Sequence, residues 1–276
     1  MLATSPRPVD TGTEELQCEI RERVAVITLN RPQARNALSD RLTPALRTMI
    51  RTCGDDPEVG AVLITGAGKA FCAGGDVKGM GDASTSRERT QEERVLDLQD
   101  KQRRLTGAIV ALRKPTIAAL PGPAAGAGLS IALACDLRIG AASAFISTGY
   151  ARIALSGDYG IAWLLTRLVG TSRARELMFL AERVDAGRCE MLGLFNRVVP
   201  DEQLHDVSFA MARGLANGPV TVFGQMKENL DDALDLGFEE ALDREALRMV
   251  KSAMSVEHFE AVRAFVGRKS SPLKGR

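Results

Sequence analysis

The first regular pattern along the chain is Val24 to Leu29 (VAVITL), an unbroken apolar, β-branched run that stops at Asn30-Arg31-Pro32, where proline ends strand pairing. Ser39 then stands as a helix cap ahead of Leu42, Leu46, Met49, Ile50 and Cys53, which recur at helical spacing, and Gly54-Asp55-Asp56-Pro57 closes that helix. Val62 to Thr65 predicts a second short strand, ending in the loop Gly66-Ala67-Gly68-Lys69. The charge-dense segment Arg87 to Arg104 carries Val95 and Leu98, continued by Leu105 and Ile109, along one face of a long predicted helix. Thr116 to Leu120 predicts a buried strand, followed by a glycine- and alanine-rich helix from about Ala127 to Ala134 and a strand near Asp136 to Ile139. Strands alternating with helices over the first two-thirds predict an α/β fold with mostly buried strands. From Asp201 onward no strand pattern remains, and Leu204/Val207, Met211/Leu215, Leu230/Ala233 and Phe259/Val262/Val266 predict a series of amphipathic helices. The expected organisation is a frayed tail over 1–15, an α/β core over 16–200 and a helical region over 201–276.

Composition narrows the function classes. The 276 residues set 36 Lys and Arg against 35 Asp and Glu, a net charge of +1, so no whole-molecule field draws nucleic acid or an anionic membrane. Pro115 to Cys135 is uncharged and long enough to cross a bilayer, but Pro115, Pro121, Gly122 and Pro123 interrupt any helix there, which makes it a buried core segment. Met1 to Gly12 has no apolar stretch resembling a signal peptide. The five cysteines are odd in number and none shows CxxC spacing, so they read as reduced thiols of a cytoplasmic protein. Two histidines, His205 and His258, leave little room for a histidine metal site or a Ser-His-Asp triad.

Three small-residue loops carry the candidate chemistry. Gly66 to Phe71 begins like a dinucleotide-binding GxGxxG, but Phe71 replaces the third glycine and no GK[ST] follows, which excludes a P-loop. Phe71-Cys72-Ala73-Gly74-Gly75-Asp76 lets backbone N–H groups approach a ligand closely. Gly122-Pro123-Ala124-Ala125-Gly126-Ala127-Gly128 runs directly into a helix, whose first N–H groups favour negative charge. Alone, either loop reads as packing.

Together they resemble the crotonase, or enoyl-CoA hydratase/isomerase, superfamily. The resemblance rests on Asn30-Arg31-Pro32 with Asn36-Ala37-Leu38, on Ala70 to Lys78, on Lys114 to Ala119, on Ala134-Cys135-Asp136, on Leu165 to Gly170 before Ala174-Arg175-Glu176-Leu177, and on Gly193 to Pro200. It implies a spiral of ββα units, a C-terminal region that builds homotrimers or hexamers, an acyl-CoA thioester substrate, and no metal or redox cofactor. By motif position it implies an oxyanion hole from the N–H groups of Gly75 and Ala127, with CoA and acyl contacts from Ala73, Gly74, Asp76, Val77, Lys78, Gly126, Ser130 and Tyr150. Arg268 and Lys269 are candidates for the CoA phosphates.

Hydratases of this superfamily use two glutamates. The matching positions here are Ser130 and the stretch Ser147 to Arg152, and neither is acidic. Between Ala119 and Gly170 the carboxylates are Asp136, which reads as structural, and Asp158 in Leu155-Ser156-Gly157-Asp158-Tyr159-Gly160. Asp158 serves equally as a helix cap or, by likeness to single-aspartate isomerases of the superfamily, as the acid/base that moves a proton along an enoyl chain. Three alternatives stay open: an enoyl-CoA hydratase, a hydrolase like 4-chlorobenzoyl-CoA dehalogenase with Tyr150 eight residues before the aspartate, and a non-catalytic acyl-CoA binder. Cys72 reads as packing and Trp163 as core or pocket wall.

Overall fold

The computed structural model describes residues 6–75 and 90–269. It begins with an antiparallel meander of β1 (Arg7–Val9), β2 (Leu16–Arg21) and β3 (Val24–Leu29), followed by α1 (Leu42–Asp55) and β4 (Ala61–Gly66). Next come α2 (Gln91–Gln102), a π-helical turn over Arg103–Gly107, α3 (Ala108–Ala111), β5 (Thr116–Leu120), β6 (Ala124–Ala125), α4 (Gly126–Ala134), β7 (Leu137–Ala141) and β8 (Phe145–Ser147). The chain continues through α5 (Ile161–Leu180), β9 (Val184–Asp185), α6 (Ala186–Met191), β10 (Arg197–Val199), α7 (Leu204–Ala216), α8 (Val220–Asp235), α9 (Phe238–Ala253) and α10 (Val256–Lys269). A seven-stranded sheet orders as β1-β2-β3-β4-β5-β7-β10, parallel from β3 onward, and β6-β8-β9 form a second sheet. The α/β expectation holds. Strands β3, β4 and β5 are buried at almost every position because helices cover both faces, which is why they read as continuous apolar runs.

Helix α1 starts as its sequence dictates. Ser39 Oγ accepts from the Leu42 amide at 3.0 Å, and Leu42, Leu46, Met49, Ile50 and Cys53 are all buried. The predicted long helix is different. It starts behind Thr90, whose side chain forms a reciprocal capping box with Glu93, and the π turn then advances the face by one residue. Leu105 and Ile109 are fully buried, while Val95 and Leu98 are exposed.

Two boundaries differ from the sequence expectation. Residues 7–9 pair with β2 rather than fraying, and Arg7 forms an ion pair with Asp56 at 2.8 Å. The first compact unit extends to Gly218 rather than 200, because α7 lies against β3, β4, β5 and β7 and buries Leu204, Phe209, Ala212 and Ala216. The second unit begins at Pro219. Within it Arg248 binds α9 to α8, through Glu228 at 3.0 Å, Asn229 at 2.8 Å and Asp232 at 2.7 Å. Leu230, Phe238, Leu247 and Phe265 remain exposed. No helix among the described residues is long and apolar enough to cross a membrane, and all five cysteines are buried and form no disulfide.

Two polar residues, Asp136 at the surface and Asn36 in the interior, fix the ends of the parallel strands. Asp136 Oδ2 accepts from the amide and hydroxyl of Thr116, at 2.7 and 2.9 Å, and clamps the starts of β5 and β7 together. Asn36, fully buried, sits in the left-handed region at φ 55°, a conformation asparagine tolerates better than most side chains. Its carbonyl oxygen accepts from the Arg31 amide at 2.8 Å, and its Nδ2 donates to Ala67 O at 3.0 Å and Ala70 O at 2.8 Å. Asn36 thus ties the turn after β3 to the loop after β4. Because Asn36→Ala removes three hydrogen bonds at a fully buried position, we expect it to lower the unfolding free energy by about 2–4 kcal/mol in urea titration. A loss below about 0.5 kcal/mol, the range of an ordinary surface change, would contradict this role.

Candidate active site

The loop after β4 is held on both sides by main-chain hydrogen bonds. Ala73 N donates to Arg35 O at 3.0 Å and Leu38 N to Gly74 O at 2.8 Å, while on the other side Cys72 N donates to Pro123 O at 3.2 Å and Ala125 N to Cys72 O at 2.9 Å. All described peptides are trans, so an N–H points opposite to the carbonyl of its own peptide unit. With Gly74 C=O turned to Leu38, the N–H of Gly75 is directed away from Leu38.

On that far side begins α4. Ala125 is its extended N-cap, which makes Ala127 the second residue of the first turn, among the donors that no helical carbonyl reaches. The two backbones pass in contact. At Gly74, where φ is +92°, a methyl group would stand 2.8 Å from Ala125 O and 3.5 Å from Ala127 N. At Gly128 it would stand 2.4 Å from Cys72 O, so any side chain there would push the loops apart. Cys72 is sealed between them, and burial pushes its thiol up to about 12, which suits packing and not nucleophilic attack.

These loops open on a cavity of about 1080 Å³. Its lining includes Ala73, Gly74, Gly75, Gly126, Ala127, Tyr150 and Asp158, seven of the residues named from sequence. Ser130 is not among them. It is fully buried on α4, its hydroxyl 3.4 Å from both Gly126 O and Asp158 O and in hydrogen-bond reach of Tyr150, so it packs beside the Tyr150–Asp158 segment. Asp76, Val77 and Lys78 lie outside the described residues, as do the side chains of Arg268 and Lys269.

Asp158 is not a helix cap. The N-cap of α5 is Gly160, and no side chain caps that helix. The carboxylate instead accepts a hydrogen bond from Tyr150 Oη at 2.6 Å through Oδ1. Burial raises the Asp158 pKa above its ordinary value, and the Tyr150 hydrogen bond partly offsets that rise. Burial and the neighbouring carboxylate both raise the Tyr150 pKa, so the phenol stays a donor. Tyr150 Oη would also lie 3.9 Å from a methyl group at Gly126, which puts the Tyr150–Asp158 pair beside the first turn of α4. Among the described residues of the lining the other carboxylate is Asp40, which is exposed.

Sequence reasoning missed the Tyr150–Asp158 hydrogen bond, whose only trace is a spacing of eight residues. It also missed Arg47 and Tyr159, which line the cavity and come from segments 112 residues apart. Trp163 is 45% exposed and stacks on the Arg167 guanidinium at 3.7 Å, so it is neither core nor cavity wall.

Residues 19–276 match the family model described as enoyl-CoA hydratase/isomerase. Among curated proteins, a probable enoyl-CoA hydratase of Mycobacterium tuberculosis is 32% identical over 264 residues, covering 95% of this chain and 99% of its own. The 1,2-epoxyphenylacetyl-CoA isomerase of Escherichia coli K12 is 30% identical over 263 residues with the same coverage. Among solved structures, an enoyl-CoA hydratase/isomerase from Mycobacterium abscessus superposes with a TM-score of 0.86 at 31% identity, covering 92% of this chain and 96% of that one. With the family model spanning all but the first strand and part of the second, and the fold shared along nearly its whole length, this chain belongs to the enoyl-CoA hydratase/isomerase family, within the crotonase superfamily.

Proposed function

We propose that the chain is an acyl-CoA isomerase, in which the N–H groups of Gly75 and Ala127 hold the thioester oxygen and Asp158 moves a proton along the acyl chain. The observation that carries this reading is the half-buried carboxylate of Asp158, oriented by Tyr150 and facing the cavity that both loops line. Tyr150 occupies Oδ1, which leaves Oδ2 for the substrate. The carboxylate takes a proton from the acyl chain, and the electron pair moves onto the thioester oxygen as an enolate. The same acid then returns the proton to a different carbon, and the double bond shifts. Charge develops at the oxygen, where two amides and the first turn of a buried helix oppose it. No metal or redox cofactor is needed to balance this step.

The raised pKa of Asp158 suits the work, since a stronger base removes a carbon-bound proton more readily. Hydration demands more, because one group has to orient water while another delivers a proton. Most of the similar curated proteins are named hydratases, which keeps that second reading in view, but Ser130 has no carboxyl group to act in a glutamate's place. The relative named an isomerase supports the first reading. We also propose that the exposed apolar residues of α8, α9 and α10 pair copies of the chain into a trimer or hexamer.

Asp158→Asn should lower isomerisation of enoyl-CoA thioesters by roughly 10²–10⁴-fold, followed by ultraviolet absorbance, while mass spectrometry finds little addition of water by the wild type. Efficient hydration of crotonyl-CoA that survives Asp158→Asn would overturn the assignment. Asp158 must be ionised to act as a base, so kcat/KM falls as pH drops through its pKa. Tyr150→Phe removes the bond that lowers this pKa, and the acidic limb of the profile should move to higher pH. A limb that stays in place or moves to lower pH speaks against the pairing.

A further inference from the structure

Arg47 is the feature of the cavity that the proton transfer leaves unexplained. It projects from α1 and lines both the catalytic cavity and a second one of about 440 Å³ behind it, so it forms part of the partition between them. Its Nη2 donates to Tyr159 Oη at 3.4 Å. Its Nε is buried and has no acceptor among the described residues, and no described carboxylate pairs with its guanidinium. Lys101, another cation of the lining, is already paired with Asp97 at 2.5 Å.

Tyr159 is held in place at a cost. It directly follows Asp158, and its φ of +50° is a left-handed conformation that aromatic residues rarely adopt. Its amide donates to Gln102 Oε1 at 3.1 Å, and its phenol oxygen, as the acceptor for Arg47, keeps its own proton for another partner. One wall of the acyl cavity therefore presents a guanidinium and a hydroxyl, both donors, with an acceptor still missing. A half-buried guanidinium at a cavity wall with no counter-charge favours an anion, and its planar fork matches a carboxylate best.

We infer that Arg47 and Tyr159 bind a carboxylate carried by the acyl group away from the thioester, so that the substrates are CoA thioesters of dicarboxylic or similarly anionic acids. This rests on reading the cavity as the acyl-CoA site. It does not require Asp158 to perform isomerisation.

Calorimetric titration of the Asp158→Asn variant, which should bind without turnover, tests it. The probes are 2-enoyl-CoA thioesters ending in methyl and the same chains ending in carboxylate. The carboxylate series should bind at least tenfold more tightly, and adding Arg47→Met should bring the ratio near one. Arg47→Lys should keep part of the preference and Tyr159→Phe most of it. Arg51→Met, which alters only the second cavity, should leave the ratio unchanged. Equal affinity for both series overturns the proposal even if no Arg47 variant folds. So does a preference that survives Arg47→Met. A loss equal for both series also overturns it, since that pattern means Arg47 binds a CoA phosphate. Separate turnover assays on wild type bear on isomerisation alone: tight carboxylate binding without isomerisation would refute the proposed reaction and leave this inference standing.

Discussion

Everything at the site depends on one backbone clamp. The segment 72–75 hydrogen-bonds to 35–38 along one side and to 123–125 along the other, so its peptides have little freedom to rotate. A peptide unit that commits its carbonyl to one neighbour commits its N–H to the opposite direction, and that is how the bond from Leu38 to Gly74 orients Gly75. The small residues follow from the clamp. Gly74 and Gly128 lie where any side chain would strike backbone across the gap, and Cys72 fills the one space that remains. Asn36 acts at one remove by fixing the turn that delivers Leu38.

The helix that opens on the cavity is built for the same end. From Ala127 to Ala134 every residue of α4 is buried, so it has no polar face and is held on all sides. A helix fixed in this way keeps its first-turn donors in place, and preorganised donors lose nothing to reorientation when charge appears in front of them. Tyr150 does the equivalent for the acid. It holds one carboxylate oxygen of Asp158 and offsets part of the rise in pKa that burial imposes on it.

How much of this was legible in the sequence depended on distance along the chain. The continuous apolar runs of β3, β4 and β5 and the capped periodicity of α1 are local signals, and each element formed where they pointed. In β2 the alternation of Leu16, Cys18 and Ile20 is a signal of the same local kind. The strands β6, β8 and β9 have only two or three residues, too few for any period. The π turn at 103–107 is invisible because nothing in composition marks an extra residue per turn. Motif order located the two loops and Asp158. It could not tell that Ser130 faces inward, since α4 has no polar side against which to judge direction. Nor could it join Tyr159 to Arg47, which only the tertiary fold brings together.

The central claim is that two peptide N–H groups meet at the thioester oxygen, and vibrational spectroscopy reads that directly. An enoyl-CoA labelled with ¹³C at the thioester carbonyl is bound to the Asp158→Asn variant, and the carbonyl stretch is measured by infrared difference. Two converging donors polarise the C=O bond, so its stretch should move to distinctly lower wavenumber than in water. A bound thioester whose carbonyl vibrates at or above the aqueous value meets no such pair, and the account of Gly75 and Ala127 would be contradicted.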